Sequence, residues 1–190
     1  LMIFMAELSR LVKEVAREIT PSPQEARQEK EFARQLIKKL EKKIGREARV
    51  KFVGSAARDT GLRGDRDIDL FIAFPKTKSR EYIVRKTIQA TKQAIKAKWV
   101  MHYAEHPYLK TELGKYCVEV IPCFQISPHE DILSAVDRSP LHMDYLQNKL
   151  SEEQKRDVRV LKQFLKNAGI YGAELEVQGF SGLVCEYLGL

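Results

Sequence analysis

Leu8, Leu11, Val12, Val15 and Ile19 recur at three- and four-residue intervals, so a first helix is predicted that ends near Ile19. Thr20-Pro-Ser-Pro breaks it; Ser22 can cap a second helix and Pro23 suits its first turn. That helix is expected to bury Phe32, Ala33, Leu36, Ile37, Leu40 and Ile44, to carry Lys38, Lys39, Lys42 and Lys43 on its other face, and to stop at Gly45. The period then changes to two. Ala48-Arg-Val-Lys-Phe-Val alternates as a strand and runs into Gly54-Ser55. A helical turn and a loop fill 56–66, and Asp67 to Phe74 forms a second strand stopped by Pro75. Ser79 caps a polar helix to about Lys96. Trp99–Tyr103, Tyr108–Leu113 and Tyr116–Ile121 read as further strands, with Gly114-Lys115 as a hairpin turn and Pro122 ending the last. From about Pro140 the pattern is wholly helical. Val158, Leu161, Leu165 and Ala168 form an apolar stripe ended by Gly169, Lys155, Arg159, Lys162 and Lys166 form a basic stripe expected to be solvated, and a last helix starts near Phe180. The domain boundary is expected near 135–142, dividing 1–138 from 139–190.

The second strand carries the chemistry. Alternate side chains on a strand share a face, so Asp67 and Asp69 lie together, about 7 Å apart by the rise per residue. Two carboxylates beside a core need partners, and divalent metal is the obvious one. Glu119 is the lone acid in the apolar run Tyr116-Cys-Val-Glu-Val-Ile-Pro and is the candidate third ligand. Hard oxygen donors of this kind suit magnesium. Two such ions about 3.5–4 Å apart can stabilise the attacking and leaving oxygens of a phosphoryl transfer. Gly54 and Ser55 can turn N–H groups and a hydroxyl toward phosphate, and Arg58, one turn on, can bind a triphosphate oxygen.

Composition narrows the partner. A formal net charge of +7 and a pI of about 9.3 favour a polyanion, nucleic acid first. No apolar stretch reaches the roughly 20 residues that span a bilayer, and the start Leu1-Met-Ile-Phe-Met-Ala-Glu is a poor signal peptide. Cys117, Cys123 and Cys185 are odd in number and lack metal-type spacing, as expected of reduced cytoplasmic thiols.

Gly54-Ser55 followed by Asp67-Ile-Asp69 is similar to the signature of the polymerase-β nucleotidyltransferase superfamily. The fuller run from Gly54 to Gly64 before Asp67-Ile-Asp69-Leu-Phe-Ile-Ala-Phe-Pro75 resembles the archaeal, class I CCA-adding enzymes, which are tRNA nucleotidyltransferases. Glu119-Val-Ile-Pro-Cys-Phe124, Ser134 to His142, Leu161-Lys162-Gln-Phe-Leu-Lys, Ile170-Tyr171-Gly-Ala-Glu and Gly179-Phe-Ser-Gly182 resemble the same family in the same order. The resemblance implies an α+β head, a mixed sheet flanked by helices, followed by part of a helical neck. It implies that Asp67 and Asp69 bind both metals and Glu119 one, and that Gly54, Ser55 and Arg58 meet the triphosphate. Ser139, His142, Lys162 and Tyr171 match positions that help bind ATP or CTP. It further implies Mg2+, the tRNA acceptor end as partner, and cytoplasmic location. Two departures stand out. The family's third acid is usually Asp, where this chain has Glu119. The family enzymes are over twice as long, so either this sequence is a fragment or a second chain supplies the remaining neck, body and tail domains. Rival readings are a small nucleotidyltransferase with a non-tRNA acceptor and a non-catalytic subunit that holds tRNA.

Overall fold

The computed structural model describes residues 2–103, 107–127, 135–147 and 149–190. Ser134, which opens the motif leading to His142, lies outside the described residues. Packing separates a sheet unit, residues 27–57 and 66–145, from a helical unit, residues 1–26, 58–65 and 146–190.

In the sheet unit, β1 (Arg49–Val53), β2 (Asp67–Phe74), β3 (Val100–Tyr103), β4 (Pro107–Leu113) and β5 (Tyr116–Phe124) pair in the order β1-β2-β5-β4-β3. β2 and β5 are parallel and the other pairs antiparallel, which gives the expected mixed sheet of an α+β fold. Ile68, Leu70, Ile72 and Phe74 point to one face, where α2 (Pro23–Ile44) and α4 (Arg80–Ala94) supply Leu36, Leu40 and Ile83. Burying each such side chain fully contributes about 1.5–3 kcal/mol. A one-residue slip of β2 would expose the whole set, so this face fixes the strand's register. Asp67, Asp69, Phe71 and Ala73 take the other face. There Phe71 and Ala73 pack with Val53, Cys123 and Met143, the last from α5 (Arg138–Leu146).

Two boundaries in this unit differ from expectation by two residues or more. α4 stops at Ala94 instead of Lys96, because Ile95 turns to an extended conformation and buries its side chain. β5 continues through Pro122 to Phe124. The register of β4 on β5 ends at Val120, so Pro122 pairs on the β2 side and its missing N–H is tolerated.

The helical unit contains α1 (Met2–Ile19), α6 (Glu152–Asn167) and α7 (Gly182–Leu188). A capping box between Ser151 and Gln154 starts α6. Val158, Leu165 and Cys185 form a small core with Leu161 and Tyr171. On α1, Val12 and Val15 are half-buried while Leu8 and Leu11 are exposed. No helix among the described residues is long and apolar enough to cross a membrane.

The helices break at 170–181, between the expected stop at Gly169 and the last helix, and the break is a closed loop with a bridge in place of helix. Tyr171 and Phe180 bridge there, with Phe180 N–H donating to Ile170 C=O at 2.8 Å and Gly172 N–H to Phe180 C=O at 3.0 Å. A Cβ on Gly179 would strike the Ile170 carbonyl, so this loop closes only with glycine there. The solvated basic stripe is also corrected. Arg159 and Lys162 are buried, whereas Lys166 reaches Asp65 at 2.8 Å near the surface.

Candidate active site

The register of β1 on β2 sets Val53 opposite Asp69, so the next residue, Gly54, meets the Asp69 side chain. Gly54 has φ +82°, and a Cβ on it would overlap the Asp69 carboxylate and lie 3.2 Å from its Cγ. Glycine is therefore required twice, for the left-handed backbone and for the space. Ser55 follows in α3 (Gly54–Arg58), a five-residue helix.

Asp69 is in register with Glu119 across β2 and β5, and Glu119 with Lys110 across β5 and β4. In-register residues share a face. Asp69, Glu119 and Lys110 thus form a row across three strands, with Asp67 two residues along β2 and opposite Cys117. Asp67 is exposed at the strand start, and Asp69 and Glu119 are half-buried. Lys110 Nζ donates to Glu119 Oε1 at 2.7 Å. This hydrogen bond holds the ammonium well above the usual lysine range. Burial, more than the neighbouring carboxylates, raises the Tyr108 hydroxyl on the same face.

Ser139 and His142 are half-buried on α5. Three contacts fix that helix and the 3₁₀ turn that leads into it (Ala135–Asp137) against the sheet. Met143 packs with Phe71 and Ala73; Lys51 Nζ bonds Asp144 Oδ2 at 3.0 Å; and Phe124 N–H donates to the buried Asp137 Oδ1 at 2.7 Å. The structure therefore gathers Gly54, Ser55, Asp67, Asp69, Glu119, Ser139 and His142 in the sheet unit.

Arg58, Lys162 and Tyr171 belong to the helical unit. Arg58 Nε donates to Glu186 Oε2 at 2.6 Å, and Lys162 Nζ reaches Thr60 C=O at 3.0 Å, Thr60 Oγ1 at 3.3 Å and Glu186 Oε1 at 3.4 Å. Thr60 Oγ1 also donates to Glu186. Arg159 completes the cluster by donating to the carbonyls of Asp59 and Gly61. Burial pushes the Lys162 ammonium below its ordinary value, against the attraction of Glu186. The ring of Tyr171 lies 5.4 Å from Lys166 Nζ. Arg58, expected to meet the triphosphate, and Lys162, expected to help bind the nucleotide, are bonded here to one buried carboxylate.

Lys110 and Glu186 were not anticipated from sequence. The first was accessible, because the Gly114-Lys115 turn pairs Leu113 with Tyr116 and so Lys110 with Glu119. The second had no local signal, being 128 residues from Arg58.

Among the described residues no three His, Cys, Asp or Glu side chains converge closely enough to hold a metal ion. The residues nonetheless fit a divalent cation in kind, and the strands carry them on one face. Three carboxylates share one sheet face, two of them in register, and Asp69 is seated against a glycine. Glu119 is bonded to Lys110 instead.

A mixed sheet with paired carboxylates after a Gly-Ser turn defines a nucleotidyltransferase head. The fold matches the solved structure of Cid1, an RNA terminal uridylyl transferase, with a TM-score of 0.68 at 18% identity over 95% of this chain and 51% of that one. The nucleotidyltransferase domain model matches residues 33–142, and the chain belongs to that family. Residues 156–190 match the second domain of tRNA nucleotidyltransferases. The chain is 42% identical to the CCA-adding enzyme of Pyrobaculum islandicum over 190 residues, and 40% identical to that of Pyrobaculum neutrophilum over 185. In each case the match takes in 97% of this chain and 45% of the relative, so the chain spans under half the length of these enzymes.

Proposed function

We propose that this chain is the catalytic portion of a template-independent tRNA nucleotidyltransferase that adds C and A to the tRNA 3′ end from CTP and ATP. The observation that carries the reading is the seating of Asp69 against Gly54, in register with Glu119. Asp67, Asp69 and Glu119 are the residues that would hold Mg2+. When bound, the ions would supply charge stabilisation for the attacking hydroxyl and the departing pyrophosphate. Gly54 leaves room for the Asp69 carboxylate and so orients it. Ser55 would offer a hydroxyl to the triphosphate, and Ser139 and His142, on α5, are proposed to help bind the nucleotide. Arg58, Lys162 and Tyr171 are proposed as further nucleotide contacts, on the resemblance of their motifs. The acceptor is tRNA, as the second-domain match and the basic charge suggest. Activity on tRNA is proposed to require the remaining neck, body and tail, in the same chain or a second one.

The test is transfer of labelled CMP from CTP to tRNA lacking its CCA end, with the remaining domains supplied, together with Mg-CTP titration of the chain alone. Asp69→Asn is expected to abolish transfer with folding intact, a loss of at least ~3 kcal/mol in transition-state stabilisation. Undiminished transfer by that variant would refute the reading. A tRNA-holding subunit without catalysis would show no metal-dependent nucleotide binding.

A further inference from the structure

The third carboxylate of this site departs in two ways from a plain metal ligand. It is a glutamate, one methylene longer than aspartate, and its carboxylate is bonded to a lysine of the neighbouring strand. These are one feature. Glu119 and Lys110 are in direct register on β5 and β4, on the face opposite the main core, and the longer side chain lets the two charges meet at 2.7 Å. The row runs Asp69, Glu119, Lys110, so Glu119 stands between the aspartate and the lysine and can serve one neighbour or the other. Side-chain exposure of 38% for Lys110 and 22% for Glu119 leaves room for exchange. A charge-assisted hydrogen bond of this length is stronger than a neutral one, and water screens it only in part.

We propose that Lys110 is a positioning residue that competes with a divalent cation for Glu119, holding this carboxylate away from Asp67 and Asp69 until the cation displaces it. The inference rests on the carboxylate-site reading above and adds to it a lysine partner for the third ligand. It accounts for the lack of a converged carboxylate triad among the described residues even though the three acids share a face. The cation needs only partial displacement: Lys110 keeps its place on β4, and Glu119 swings from one neighbour in the row to the other.

The test is Mn2+ titration of the full chain, with free Mn2+ read by electron paramagnetic resonance. Lys110→Met, with Lys110→Gln as a second neutral variant, is expected to bind Mn2+ about three- to tenfold more tightly than the wild type, the range a half-exposed charged hydrogen bond supports. Lys110→Arg is expected to stay near the wild-type affinity. In a Glu119→Gln background, Lys110→Met is expected to change nothing, which a general loss of positive charge would not reproduce. Equal or weaker binding in both neutral variants overturns the proposal, as does tightening that persists without Glu119. Asp69→Asn separates the two readings. Mn2+ binding that is absent from the wild type, or survives Asp69→Asn, overturns the carboxylate site and this proposal with it. Asp69-dependent binding that ignores Lys110 overturns this proposal alone.

Discussion

The backbone of Gly54 and the carboxylate of Asp69 occupy adjoining space that a single methyl group would fill. Gly54→Ala therefore does two separable things. It strains a residue held at φ +82°, costing about 1–2 kcal/mol of stability. It also pushes the Asp69 carboxylate, a movable end, out of its seat. Catalysis depends on ligand placement more steeply than stability does. The expected outcome is a modest fall in melting temperature with nucleotidyl transfer lowered at least ~100-fold. Equal, small losses in both would show that the seat is not needed. The measurements are thermal unfolding and single-turnover transfer on one preparation.

Glu186 is fully buried and is the carboxylate shared by Arg58, Thr60 and Lys162. Replacing it by Gln preserves shape and some hydrogen bonding but leaves two buried cations without their counter-charge. Removing one partner from a buried ion cluster costs about 3–5 kcal/mol. For a chain of this size each kcal/mol moves the melting temperature by roughly 2–4 °C. Glu186→Gln is thus expected to lower it by about 6–20 °C in calorimetry. Lys162→Met should cost less, because Arg58 still pairs the carboxylate.

The contrast between those two clusters shows what was legible in the sequence. Alternation in β2 gave both faces at once, with Ile68, Leu70 and Ile72 to the core and the aspartates away from it. The hairpin at Gly114-Lys115 even contained the Lys110–Glu119 pairing, since antiparallel register propagates from a short turn. Periodicity on α6 placed Lys155, Arg159, Lys162 and Lys166 near one another but could not say what faced them. The answer depended on Thr60 and Glu186, contacts of high sequence separation that no local pattern encodes. The break at 170–181 was legible from Gly169, but its closure was not: Gly179 serves a close backbone approach to Ile170 and Gly172 holds φ +135°, requirements that periodicity does not encode.

The thiols offer a probe of the carboxylate face. Cys123 and Cys185 are fully buried, whereas Cys117 is half-buried and in register with Asp67. Maleimide is expected to label Cys117 first, as peptide mapping would show. The adduct would crowd the Asp67 end of the carboxylate face and suppress nucleotidyl transfer, while Cys117→Ser should remove the sensitivity. Transfer that survives full labelling of Cys117 would place the reacting groups elsewhere.

Glu47 joins the 3₁₀ turn after α2 to α4, accepting from Lys86 Nζ at 2.7 Å and from the Tyr82 hydroxyl. The bond to Lys86, then that to Tyr82, holds the Glu47 carboxyl below its ordinary 4.5. A carboxyl depressed in the folded state binds fewer protons there than in the unfolded chain. Its stabilisation is present above about pH 4.5 and is lost as pH falls through the lower folded value. The same bonds raise Lys86 above 10.5 and Tyr82 above 10.0. Folded groups that keep their protons longer have the opposite sign: their contribution is present below those ordinary values and is lost as pH climbs through the raised ones. Glu47→Gln should therefore lower stability on a plateau between about pH 4.5 and 10 and converge with the wild type at both ends. Urea unfolding at intervals from pH 3 to 11 would check it, and a difference independent of pH would show that Glu47 acts through packing and not through its charge.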